Sequence, residues 1–123
     1  MKLELDVELF LTHGSGYWYL STPFTHFPGG HDLAFQQACK IRGELLMRGI
    51  SCYSPIAETY MVAKICGLPP GDHDLWMADD LPKMEGARGL IAARMLSWQA
   101  SKGMATEIAH FRRVGKPIVY LDP

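Results

Sequence analysis

The chain lacks most of what would mark it for a special environment. Among its 123 residues no apolar run approaches membrane-spanning length, and the acidic start lacks the basic and apolar stretches of a signal peptide. Cys39, Cys52 and Cys66 are odd in number and widely spaced, which argues for reduced thiols and against a disulfide framework or a zinc-type ligand set. Lys and Arg number 12 against 13 Asp and Glu, so a net charge of −1 leaves no basic footprint for a nucleic-acid backbone or an anionic membrane. His26 and His31 flank Gly29-Gly30, and Asp72-His73-Asp74 is compact, but neither has metal-ligand spacing. Internal repeats and low-complexity tracts are also missing. What these absences leave is a soluble, cytoplasmic domain with no metal, no cofactor, no membrane and no nucleic-acid partner.

What is present is enough apolar residue, 48% of the chain, for one domain with a sizeable core, and too little length for two. Leu3, Leu5, Val7, Leu9 and Leu11 alternate with Lys2, Glu4, Asp6 and Glu8, a period of two that predicts a half-buried strand over residues 1–12. The turn-rich Thr12 to Gly16 then folds it back as an added antiparallel edge. Tyr17 to Ser21 reads as a buried central strand, followed by a Pro- and Gly-rich loop. Asp32 is placed to cap a helix with apolar positions Ala34, Ala38, Ile41 and Leu45, closed by Arg48-Gly49.

A second short strand, Ile50 to Tyr53, precedes helical segments from Ala57 to Cys66 and from Asp72 to Asp80, the latter continuing toward Lys83. The third strand is Gly89 to Met95, then a helix from Met104 to Val114 and a last strand from Pro117 to Leu121. Strands alternating with helices predict a single α/β domain, Rossmann- or flavodoxin-like, with a mainly parallel sheet flanked by helices.

In such sheets ligands bind beyond the carboxyl ends of the strands, where strand order reverses. Those ends carry Ser21 to Phe24, Ser54-Pro55, and the loop from Leu96 to Gly103. Ser101 and Gly103 open the last helix, where a hydroxyl and free N–H groups face outward. Glu107 follows one turn later between Met104 and Phe111, so its carboxylate projects from a partly apolar face. Placing Glu107, Ser101, Ser21 and Tyr19 at one crevice, with Asp79 and Asp80 near its rim, assembles the carboxylates that glycosyl chemistry uses. For Ser101 a helix cap and a ligand contact are both open readings. Phe24 and Trp98 are candidates either for stacking on a base or for covering hydrophobes.

Taken together, Tyr19-Leu20-Ser21, Asp80-Leu81, Ser101-x-Gly103-x-x-x-Glu107 and the terminal Gly115 to Tyr120 segment resemble the nucleoside 2-deoxyribosyltransferase-like superfamily over Tyr17 to Asp122. Within it the chain is most similar to a small bacterial and phage branch, a domain of unknown function (DUF1937), with a Tyr-Leu-Ser-x-Pro-Phe start. The resemblance implies an N-glycosidic bond hydrolase or 2-deoxyribosyltransferase acting on a deoxynucleoside or its monophosphate. It implies Glu107 as nucleophile, Asp80 as the residue that helps the base leave and Tyr19 as the group that orients the nucleophile. Ser21, Ser101 and Gly103 then line the substrate pocket near the sugar's 5′ end.

The partner implied is a small nucleoside or nucleotide, and the family habit implies a homodimer or higher homo-oligomer. The chain departs from the superfamily in lacking a C-terminal extension, in Arg88 where an acidic residue is common, and in a longer Leu96 to Ala100 loop. The alternatives are a nucleotide-binding or sensor module of the same fold without chemistry, and an interaction protein that pairs through its N-terminal edge strand.

Overall fold

A computed structural model describes residues 1–123. Four strands, β1 (Trp18–Ser21), β2 (Cys52–Tyr53), β3 (Gly89–Ala93) and β4 (Ile118–Leu121), form one parallel sheet in the order β2-β1-β3-β4. Helices connect them: α2 (His31–Met47) between β1 and β2, α3 (Pro55–Cys66) and α4 (His73–Gly86) between β2 and β3, and α5 (Lys102–Val114) between β3 and β4. The α/β expectation holds, with a sheet that is parallel throughout.

Strand alternation splits the core in two. Trp18 and Leu20 of β1, with Ile91 and Ala93 of β3, join Ala34, Ile41 and Leu45 of α2 on one face. Tyr19, with Leu90 and Ala92, joins Met84 of α4 and Met104, Ile108 and Phe111 of α5 on the other. Because β1 leads outward to β2 while β3 leads the opposite way to β4, the order reverses between β1 and β3. The crevice of the fold therefore opens above the carboxyl ends of these two central strands.

Caps set the helix starts closer to the sheet than apolar spacing does. Ser54 accepts from the Ala57 N–H and starts α3 at Pro55, whose missing donor suits the first helical position. Ser101 accepts from the Met104 N–H at 3.2 Å and starts α5 at Lys102. Gly30 rather than Asp32 caps α2, and Asp32 in the first turn instead accepts from Tyr60 and Lys64 of α3.

The N-terminal edge strand is not formed: residues Leu5–Thr12 are a helix, α1, and no strand pairs outside β2 or β4. The physical reason is an ambiguity of spacing. Leu3, Leu5, Val7, Leu9 and Leu11 are two apart in the alternating pattern, but every second one of them, Leu3, Val7 and Leu11, is also four apart, the i, i+4, i+8 spacing of a helical face. The helix uses that second register: Leu11 is buried, Leu3 and Val7 pack on the α2-side core, and Leu5 and Leu9 face solvent. Leu and Glu are strong helix formers, and Asp6 and Glu8 in the first turn suit the positive end of the helix dipole. α1 then covers Trp18, whose indole N–H donates to the Leu11 carbonyl at 2.9 Å, while Arg88 lies over the ring at 4.8 Å.

Candidate functional site

Glu107 reaches the crevice from the second turn of α5. Its neighbours Met104, Ile108 and Phe111 hold the helix on the sheet, so the intervening carboxylate is carried under the ends of β1 and β3. Tyr19 and Ser21 lie two apart on β1 and point to that same face. The Tyr19 hydroxyl donates to Glu107 Oε2 at 2.6 Å, and the Ser21 hydroxyl donates to Oε1 at 2.6 Å. Two short charge-assisted hydrogen bonds thus fix the plane of one carboxylate. Each oxygen keeps a lone pair for another partner.

Burial pushes the Glu107 carboxyl up to about 7. The hydrogen bonds from Ser21 and Tyr19 pull it down, and the Asp80 charge adds a smaller push upward. Tyr19 is raised far above the ordinary phenol range by its burial and then by the Glu107 charge, so it stays a donor at every working pH. Asp80 approaches from the third turn of α4. Its burial and the neighbouring Asp79 charge push it up to about 6, against Lys83. Lys83 itself pairs with Asp79 at 3.0 Å, and Asp80 Oδ1 is buried without a protein hydrogen-bond partner.

These groups line one cavity of about 370 Å3, a size suited to a small organic ligand. Glu107, Asp80, Phe24, Ser101 and Gly103 all contribute to its walls, and Tyr19 and Ser21 act from beneath through Glu107. Ser101 is both a cap and a wall residue. At Gly103 an added Cβ would meet nothing closer than Ser101 Oγ at 3.9 Å, so no protein atom requires glycine there. Phe24 stacks on His31 with ring centroids 4.2 Å apart and meets Tyr60 edge-on.

Two expected substrate contacts are not part of the cavity wall: Ser21, which is fully buried and reaches the site only through Glu107, and Trp98. The Trp98 ring lies 5.9 Å from that of Tyr120, on the α5 side of the sheet, and it covers the core there. Glu107 is also not drawn off by a surface arginine: Arg112 donates to the Tyr120 hydroxyl at 3.1 Å.

The sequence reading missed Thr22, Tyr60, His73, Trp76 and Met77, all of which line the cavity. Part of this was available. His73, Trp76, Met77 and Asp80 stand at i, i+3, i+4 and i+7, so a helix that brings Asp80 to the site brings the other three with it. Tyr60 depends on how α3 rotates about its axis, which local spacing does not state. No group of three or more His, Cys, Asp or Glu side chains is arranged to hold a metal ion, and no helix is long and apolar enough to cross a membrane.

Comparison with curated proteins finds no match. The family model described as a domain of unknown function (DUF1937) matches residues 16–122, a span that holds Tyr19, Ser21, Asp80 and Glu107, and the chain belongs to that family.

Proposed function

We propose that this protein cleaves or transfers the N-glycosidic bond of a deoxynucleoside or deoxynucleoside monophosphate. The observation that carries the reading is a carboxylate clamped by two hydroxyls at 2.6 Å, facing a cavity that also contains a second, unpartnered carboxyl. A nucleophile needs a fixed orientation and a free lone pair, and Glu107 has both. A leaving base needs a proton, and Asp80, raised to about 6, holds one far more readily than an exposed aspartate.

In the proposed reaction a Glu107 oxygen bonds to C1′ as the C1′–N bond breaks. The electron pair goes to the base nitrogen, which takes the Asp80 proton. The resulting glycosyl ester is opened by water, whose proton returns to Asp80, or by the ring nitrogen of another base. Tyr19 and Ser21 position Glu107 and, by bonding its charged form, keep a useful fraction of it ionised near neutrality. Phe24 offers an aromatic face beside this centre, and Ser101 with Gly103 offers the N-terminal end of α5.

The test is incubation with deoxynucleosides and their 5′-monophosphates, with and without an acceptor base, followed by chromatography of released or exchanged base. Wild type is expected to give product and Glu107→Ala to fall to background, with Asp80→Asn slowed about 10²–10⁴-fold. Equal product from wild type and Glu107→Ala removes Glu107 from the chemistry. Ligand-dependent thermal stabilisation without turnover would instead identify a nucleotide-binding module.

A further inference from the structure

Two buried side-chain oxygens in this protein have no hydrogen-bond partner, and both line the same cavity. One is Asp80 Oδ1; the other is Thr22 Oγ1. Thr22 is 6% exposed, so water does not replace the missing partner from an open surface. Buried hydroxyls are normally satisfied, and one that is not calls for a reason. The local alternatives are reduced: the next residue, Pro23, has no N–H to offer, and the β-branched Thr22 side chain is stiff about χ1. Nothing within the fold uses this hydroxyl.

We propose that Thr22 Oγ1 binds a secondary hydroxyl of the substrate's sugar ring. The inference rests on the glycosidic reading above and adds a residue to it. Thr22 directly follows Ser21, whose hydroxyl donates to Glu107 Oε1 at 2.6 Å. Consecutive Cα atoms are about 3.8 Å apart, so Thr22 stands one chain step from the residue that holds the carboxylate, and both Thr22 and Glu107 line the cavity where that carboxylate must meet C1′. Apart from the base and the ring oxygen, the group of a deoxynucleoside's sugar nearest C1′ that can both donate and accept a hydrogen bond is the hydroxyl on C3′. Alternation along β1 sends Ser21 toward α5, and Thr22, one residue later, is set to approach the sugar from the other side of the sheet edge. The two unpartnered oxygens then divide the substrate: Asp80 takes the base and Thr22 takes the sugar.

The experiment compares wild type, Thr22→Val and Thr22→Ser. Dissociation constants are measured calorimetrically for deoxyadenosine, adenosine and 2′,3′-dideoxyadenosine, for the three corresponding thymine nucleosides, and for the 5′-monophosphates of all six. Thr22→Val keeps the shape and removes the hydroxyl, so affinity for nucleosides bearing the recognised hydroxyl is expected to fall about tenfold. Affinity for the dideoxynucleosides stays unchanged, and Thr22→Ser retains wild-type discrimination. Because the hydroxyl satisfies nothing in the free protein, the unliganded Tm of Thr22→Val is expected to equal or exceed that of wild type.

A loss shared by the deoxynucleosides and the ribonucleosides assigns the 3′-hydroxyl, and a loss confined to the ribonucleosides overturns the proposal, because a deoxynucleoside carries no 2′-hydroxyl. An equal loss for all three sugars overturns the proposal, as does no loss for any. A Thr22→Val protein that melts several degrees lower and binds normally overturns it too, because the hydroxyl is then structural. If wild type binds neither the nucleosides nor their 5′-monophosphates, this proposal and the glycosidic reading fall together. If wild type binds and the substitution has no effect, only the Thr22 assignment falls.

Discussion

Replacing Glu107 with Gln tests the site without knowledge of its substrate. In the folded protein the Glu107 carboxyl is raised from its ordinary 4.5 to about 7, so between those values the folded state holds a proton that the unfolded chain has lost. Stability from this group is therefore fully present below about pH 4.5 and is lost as pH rises through about 7. At one pKa unit per 1.36 kcal/mol, the wild type gives up about 2 to 3 kcal/mol between pH 5 and pH 8. Glu107→Gln carries no such charge. The amide fills the same space, and the Tyr19 and Ser21 hydroxyls can turn to accept from it or donate to it.

The expected result is a gap between the two proteins that widens with pH. For a chain of this length about 2 to 3 kcal/mol corresponds to a change of roughly 10 °C in melting temperature. Differential scanning fluorimetry in matched buffers from pH 5 to pH 8 reads this directly. Glu107→Gln should be near wild type at pH 5 and clearly more stable at pH 8. Asp80, raised to about 6, is present in both proteins, so its own pH dependence largely cancels. A gap that stays constant across the range would refute the reasoning: Glu107 would then be solvated, and a nucleophile awaiting substrate in a desolvated pocket would lose its physical basis.

Two further outcomes follow from the same contacts. Ser21→Ala and Tyr19→Phe each remove a donor to the charged form of Glu107, so its pKa should move above 7 and the acidic limb of the rate profile to higher pH; Asp80→Asn removes a like charge and should move that limb the other way, all three read from kcat/KM for base release. Gly89→Ala should destabilise the protein by about 3 kcal/mol or more, because the new Cβ would lie 2.4 Å from Trp18 Cζ3 and 2.7 Å from the Pro117 carbonyl; urea unfolding, or loss of soluble protein, checks it.

How much of this was legible in the sequence depends on which interactions each segment obeys. β1 was legible because a strand buried on both faces shows as an unbroken run, and Trp18 to Ser21 is buried throughout. α5 was legible because its cap, its apolar positions and its Gly115 terminus are local signals. α1 was not, since Leu3, Val7 and Leu11 satisfy two periods at once, and only the need to cover Trp18 selects the helical one. Trp98 followed its local loop and sat near the strand end as expected, but its ring turned to the α5-side core, a choice that rests on Tyr120 far along the chain. Thr22 and Tyr60 carry no local mark. They become wall residues only when α3 and the β1 loop close over the sheet.

The charge layout of the cavity narrows the kind of substrate it suits. Neither Asp80 nor Glu107 enters a salt bridge, and Lys83, one turn from Asp80 on α4, turns its ammonium to Asp79. Both carboxyls are therefore raised by burial, and the only charge acting against this is that of Lys83, at Asp80. A ligand that brings a negative group to this floor would be repelled whenever either group ionises, whereas a centre that gains positive charge during reaction would be stabilised by both. Four to six residues up the same helix, Ser101, Lys102 and Gly103 present the opposite polarity: the N–H groups of Lys102 and Gly103, the positive end of the α5 dipole and an ammonium. That rim lies about 6 to 9 Å along the helix axis from Glu107. On the glycosidic reading proposed above, a ligand with a phosphate at one end and a reacting acetal-like carbon at the other would satisfy both ends at once, so that reading predicts tighter binding of a nucleoside monophosphate than of a free base.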